Sequence, residues 1–310
     1  MDKRRGRPLI SDAVILKPLA FNLEEALEVE SVYRPNLLLV QSDLKAGEVT
    51  LTLRDGAVNI LRFLHIWLDL PRNVYFSAVS YLDMFLAKMR VQEKFLKCLT
   101  LSCLVIAADT ENQIIDVDYL VKISQGKCTS RDVLRMAKIV KEKLKLVDKC
   151  KPTTVEDFFK IYLEVFTYLT RKWEHIISRN LLQIKEHMLT RLEVLLADSS
   201  TAFYRSSLLA LVLFRLEVEN LMAHGLPKKS VYFLGEFLHF FTIIWEIQSI
   251  CKVKNSELKP CYATVSKVIR KYCSQRKSDH HEELSWKFSF STIEKSKRNN
   301  YHPFLPTISE

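Results

Sequence analysis

Apolar residues recur along most of this chain at three- and four-residue spacing, the period of an amphipathic helix. Between Leu51 and Leu68, the positions Ala57, Ile60, Leu61, Leu64 and Trp67 form one stripe. The stretch "LPRN" breaks the pattern. Asn73 is then placed to cap a second helix that buries Val74, Ala78, Tyr81, Leu82, Phe85 and Met89. "EKFLKCLTLSCLVIAA" follows and is apolar nearly all round, which predicts a central helix wrapped by its neighbours. A short helix fits Asp116 to Ile123. "GKCTSRD" supplies a break, a Thr129 cap and an acid three residues later, opening a helix to about Leu146. The result is five helices with the third at the centre.

Pro152 marks the next boundary. A helix from Thr154 to Arg171 would bury Phe158, Phe159, Tyr162 and Phe166, and further helical stretches lie near Trp173–Leu196, Tyr204–Leu221, Lys228–Ile250 and Lys259–Cys273. The count of five repeats, as a pattern without an alignable sequence repeat. Ahead of Leu51, "NLEEALEVESVYR" suits one amphipathic helix behind a disordered basic start. Beyond Cys273 the chain turns polar and ends in "NNYHPFLPTISE", read as a flexible tail. The expected organisation is a basic start and helix over 1–47, a five-helix bundle over 48–150, a second and divergent bundle over 151–275, and a tail over 276–310.

Composition agrees with an all-α chain. Only 6 glycines and 9 prolines occur in 310 residues, and 48% of residues are hydrophobic, so large cores are available. Phosphate-cradling glycine loops and the HExxH, GxSxG and CxxC motifs are missing. No paired acid and base can be assigned to a common pocket, so no catalytic residue, cofactor site or metal site is expected. "DHHEE", Asp279 to Glu283, sits on a polar tail without a folded frame and does not read as a metal site. Seven cysteines without framework spacing point to a reducing compartment. No signal core or membrane-length apolar run is present, so a soluble intracellular protein of nucleus and cytoplasm is expected. The net charge of +10 is spread along the chain, as on a basic solvated surface.

Two consecutive five-helix bundles with a buried third helix resemble the cyclin fold, and particular residues carry the resemblance. "YLDMFLAKMRV" is similar to the cyclin-box segment built on an Asp, an aromatic and a Leu. Arg54 lies 29 positions before Asp83 (83 − 54), the spacing at which cyclins form a buried Arg–Asp pair. Within the family, "VKISQGKCTSRDVLRMAKIVKEKL" and "LEEALEVESVYRPNL" resemble cyclin G, with a good match over about residues 23 to 165. The resemblance implies a regulatory protein of the cell cycle and a cyclin-dependent kinase as one partner. In kinase-activating cyclins a Lys at the end of the third helix and a Glu in the fifth grip the kinase. Those positions are Asp109 and Ala137 here, so the grip is expected to be lost. The apolar substrate-docking patch of cell-cycle cyclins corresponds to Leu53, Arg54, Asp55, Gly56 and Ala57, with Ile60 in place of a Trp. It offers little area to an incoming Leu.

The last six residues, "LPTISE", resemble the docking motif read by B-prime regulatory subunits of protein phosphatase 2A, with Leu305 and Ile308 as apolar anchors and Glu310 facing a basic groove. The family is associated with that subunit. "LLQIKE", Leu181 to Glu186, fits the same pattern, but its position within a helix denies it an extended form. "KRRGRP" offers Lys3, Arg4, Arg5 and Arg7 to nuclear import, to plain solvation, or to an A·T minor groove as in AT-hooks. The leading expectation is a non-catalytic adaptor that docks the phosphatase subunit. A kinase-activating cyclin with an altered clamp and a DNA-associated nuclear factor are the alternatives; nucleic acid is disfavoured as a partner, and no membrane is expected.

Overall fold

The structure, a computed structural model, describes residues 10–35, 37, 45–125, 127–146, 151–170, 174–224 and 244–278. Ten helices are bounded among them: α1 (Ile10–Tyr33), α2 (Leu51–Trp67), α3 (Arg72–Lys88), α4 (Glu93–Thr110), α5 (Val117–Ser124), α6 (Ser130–Leu144), α7 (Val155–Thr170), α8 (Glu174–Leu196), α9 (Ser206–His224) and α10 (Asn255–Ser278). Residues 244–250 are helical as well, and no strand occurs among the described residues. The fold is all-α, as the periodicity predicts. Contacts divide the described residues into two compact units, one drawn from 35–152, 193–203 and 268–278, the other from 10–34, 153–192 and 204–267.

In the unit built on 35–152, α4 is the axis and packs on α2, α3, α5 and α6. Leu99, Leu101, Cys103, Leu104 and Ala107 lose all exposure there, which is what an all-round apolar helix requires. Its buried hydroxyls are satisfied. Thr100 donates to the Leu96 carbonyl at 2.8 Å, and Ser102 shares its proton between the carbonyls of Cys98 and Val133, both at 2.8 Å. The second of those bonds ties α4 to α6. Ahead of α2, Gly47 adopts φ +83, and the turn it permits lets Glu48 and Val49 pair with the α3–α4 link.

Local chemistry sets the helix ends. Thr50 accepts from the Leu53 N–H, Asp116 from those of Asp118 and Tyr119, and Thr129 with Asp132 forms a reciprocal capping box on α6. The expected Asn73 cap is not what forms. The helix starts two residues earlier, at Arg72 after Pro71 at φ −57, and Asn73 instead donates to Glu111 at 2.6 Å.

In the other unit α7 packs against α9, and α1 lies on both. Tyr162 is fully buried between Phe158 and Phe214, and its hydroxyl donates to the Ser207 carbonyl at 3.2 Å. From α1, the buried Glu30 accepts from the Ser207 N–H at 2.8 Å and its hydroxyl at 2.6 Å. A carboxylate on the positive end of α9 favours that docking. Two element boundaries differ from expectation. Helix α1 extends back to Ile10, and α10 begins at Asn255 and runs through Pro260, whose ring in the second turn removes a single backbone donor. The helix expected at Lys228–Ile250 lies outside the described residues except at 244–250.

Candidate functional site

Arg54 faces inward from α2 and Asp83 from α3, and the structure brings them together. Nε donates to Oδ1 at 2.8 Å and Nη2 to Oδ2 at 2.6 Å, with Arg54 at 0% and Asp83 at 7% exposure. This planar two-bond geometry suits a guanidinium and no other cation. Burial by itself would lower the Arg54 pKa, but the Asp83 carboxylate reverses the effect and raises it. The remaining donor is also used: Nη1 reaches the Leu196 carbonyl at 2.6 Å and Asp55 at 3.2 Å. Asp55 accepts in turn from the Ser199 N–H at 3.1 Å. Arg54 therefore holds α2, α3 and the 193–203 segment at one point.

A second buried anchor lies nearby and was not legible in the sequence. Glu193, at 1% exposure, takes Arg62 at 3.1 Å and Arg72 at 2.9 Å, while the Tyr75 hydroxyl donates to its carbonyl at 3.1 Å. His65 completes the wall. Its burial pushes the ring pKa down to about 4, so it is neutral near pH 7 and its 3.9 Å approach to Glu193 is not an ion pair. The available signal was an acid set among Leu192, Leu195 and Leu196, in a stripe where a charge needs a partner.

Asp109 lies in the last turn of α4, exposed, and Lys141 of α6 meets it at 2.6 Å. The cation offsets a carboxylate that would otherwise oppose the negative end of the helix. Ala137 sits one turn before Lys141 and is 7% exposed. Ser102 on Val133 and Lys141 on Asp109 advance the same way along both helices, so α4 and α6 run parallel. Their shared end is negative on α4 and positive on α6. On α2, Leu53, Gly56 and Ile60 are half-buried, whereas Ala57 is 2% exposed and gives an incoming side chain no surface. A Cβ at Gly56 would meet open space.

The expected tail residues Leu305, Ile308 and Glu310, the basic Lys3, Arg4, Arg5 and Arg7, and Asp279–Glu283 lie outside the described residues. The second copy of the tail pattern, residues 181–186, falls within α8. Among the described residues no group of three or more His, Cys, Asp or Glu is placed to hold a metal, and no helix is long and apolar enough to cross a membrane.

Comparison with known proteins bears on the whole arrangement. Residues 19–147 match the cyclin N-terminal domain family. Cyclin-G1 of Rattus norvegicus is 30% identical over 301 residues, covering 94% of this chain and 95% of that one. Cyclin-G2 of Mus musculus is 30% identical over 294 residues, 92% of this chain and 79% of that protein. Cyclin G of Drosophila melanogaster is 31% identical over 267 residues, and there the match spans 46% of the relative's length. Among solved structures, a viral cyclin from herpesvirus saimiri superposes with a TM-score of 0.58 over 81% of this chain and 99% of its own. At 17% identity that likeness speaks for the fold alone. Identity carried through nearly the whole of a cyclin-length chain, on the matching all-α fold, places this protein in the cyclin G family, among the cyclin-like regulators of the cell cycle.

Proposed function

We propose that the chain is a non-catalytic adaptor whose cyclin fold no longer grips a kinase in the conventional way, and whose tail docks a B-prime subunit of protein phosphatase 2A. The observation that carries the first half is the Asp109–Lys141 pair. Kinase-activating cyclins, as the resemblance has it, present a Lys from the third helix and a Glu from the fifth. Here the third helix offers an acid, the Glu position is the small and buried Ala137, and the next turn offers a cation. A kinase surface shaped for the usual signs meets like charge on both helices, which costs several kcal/mol where the contact is desolvated.

The second half is supported by the Leu-x-x-Ile-x-Glu form of residues 305–310 and by membership of the cyclin G family. Two assays separate the halves. Purified chain added to cyclin-dependent kinases is expected to leave their activity near baseline, and robust activation by the unaltered chain sinks the first half. Asp109→Lys with Ala137→Glu and Lys141→Gln restores the usual polarity and is expected to raise kinase binding. Retention of the phosphatase subunit by the chain, and its loss on Leu305→Ala with Ile308→Ala, tests the second.

A further inference from the structure

The two parallel helices α4 and α6 carry at their other end a pair of cysteines. Cys98 is in the second turn of α4, and Cys128 directly precedes Thr129, the N-cap of α6. The register of the two helices sets these positions level with one another, and Cys128 lies near enough to be, after burial, the next cause raising the Cys98 pKa. Independent contacts fix the two backbones at this point: Ser102, one turn on from Cys98, bonds the Val133 carbonyl in the first turn of α6, and the Thr129–Asp132 capping box holds the residue next to Cys128. Both sulfurs are free thiols. They differ in access, since Cys98 is 8% exposed and Cys128 is half-exposed.

We propose that Cys98 and Cys128 form a reversible disulfide, making the start of α6 a redox-modified site. The oxidant is a low-molecular-weight disulfide such as oxidised glutathione. The accessible Cys128, as thiolate, attacks one glutathione sulfur, breaking its S–S bond and releasing one reduced glutathione. The Cys98 sulfur, giving up its proton to solvent, then attacks the Cys128 sulfur of the mixed disulfide. The second glutathione leaves as thiolate and takes up a proton. Two protein thiols have lost two electrons and two protons, and one oxidised glutathione has become two reduced ones. Burial pushes the Cys98 thiol up to about 11, with Cys128 beside it as the next cause, so Cys98 resolves the mixed disulfide and does not initiate. Intracellular disulfides of this sort are transient and sensory in character. Once formed, the bond staples the N-terminal end of α6 to α4, closing a loop of 30 residues (128 − 98).

The test uses the full chain equilibrated in glutathione buffers of graded oxidation, quenched with an alkylating reagent, digested without reductant and read by mass spectrometry. A peptide pair joined through Cys98 and Cys128, lighter by two hydrogens and released by dithiothreitol, is expected to dominate over the Cys128–glutathione adduct. Oxidation should raise the melting temperature by several degrees, and Cys128→Ser should abolish that rise while melting like the reduced parent. Cys98→Ala should stop at the glutathione adduct on Cys128. The proposal is overturned if the parent also stops at that adduct with Cys98 still alkylated, or if Cys98 pairs with another cysteine.

Discussion

Arg54 exchanges all its water for two carboxylates and a carbonyl, so its worth shows only when one partner is removed. Arg54→Ala leaves Asp83 charged and buried, and should cost about 3–5 kcal/mol in the thermal or denaturant unfolding of the full chain. Unchanged unfolding would contradict the pairing. Adding Asp83→Ala should cost less than the sum of the single losses, because the second substitution removes a charge already stranded. Glu193→Gln keeps the shape and removes the anion between Arg62 and Arg72, both about a fifth exposed, so water takes over part of the role and about 1–3 kcal/mol is expected. His65 makes stability depend on pH. Its folded pKa of about 4 lies below the ordinary 6.5, so between those values only the unfolded chain takes up the proton. Stability should therefore fall as pH drops from 6.5 towards 4, by at most about 1.4 kcal/mol per unit from this residue. His65→Phe, measured over the same range, should flatten the profile; an unaltered slope would place the proton elsewhere.

At the scale of elements, α6 depends on its first turn. Thr129→Ala should cost about 1 kcal/mol, read as a lower denaturation midpoint. Asp132 is held below the usual 3.8 chiefly by the Thr129 N–H, so its contribution is complete above that value and is lost as pH falls through the lower folded one. The gap between the parent and Asp132→Ala should accordingly close in acid, and a gap constant down to pH 2 would deny the capping box. This element was fully legible, because Thr129 and Asp132 sit three residues apart and such a motif needs nothing distant. Helix α4 was legible for the same reason, since its all-round apolarity is a local property. Asn73 misled because the capping rule reads side-chain type, whereas Pro71 had already set the entry angle. Glu193 and Lys141 escaped because their meaning lies in partners 131 and 32 positions away, and no periodicity carries that information. Of the positions proposed to face a kinase, Asp109 and Ala137 were named from the resemblance. Lys141 came only with the parallel packing of α4 and α6.

For the whole molecule, the tail prediction is the most direct. A peptide spanning residues 301–310 should bind a B-prime subunit unaided, with Leu305 and Ile308 each bringing about 1.5–3 kcal/mol when enclosed, and with binding that weakens as salt rises through Glu310. Alanine at both apolar anchors should abolish capture by the full chain without moving its melting temperature. Undiminished capture would shift the contact to the helical body. The interleaving of the two units has a different consequence, one of timing. Glu30 waits for Ser207, 177 residues later, and Arg54 waits 142 residues for the Leu196 carbonyl. At about 5–20 residues per second of synthesis, the nascent chain holds α1 without its bed for about 10–35 s. The unit of Arg54 cannot close before residue 196 has been made, nor the unit of Glu30 before residue 207, so a ribosome paused in α7 or α8 exposes half-finished cores from both. Protection of such paused chains by a chaperone should be sought there, and should end once α9 has emerged.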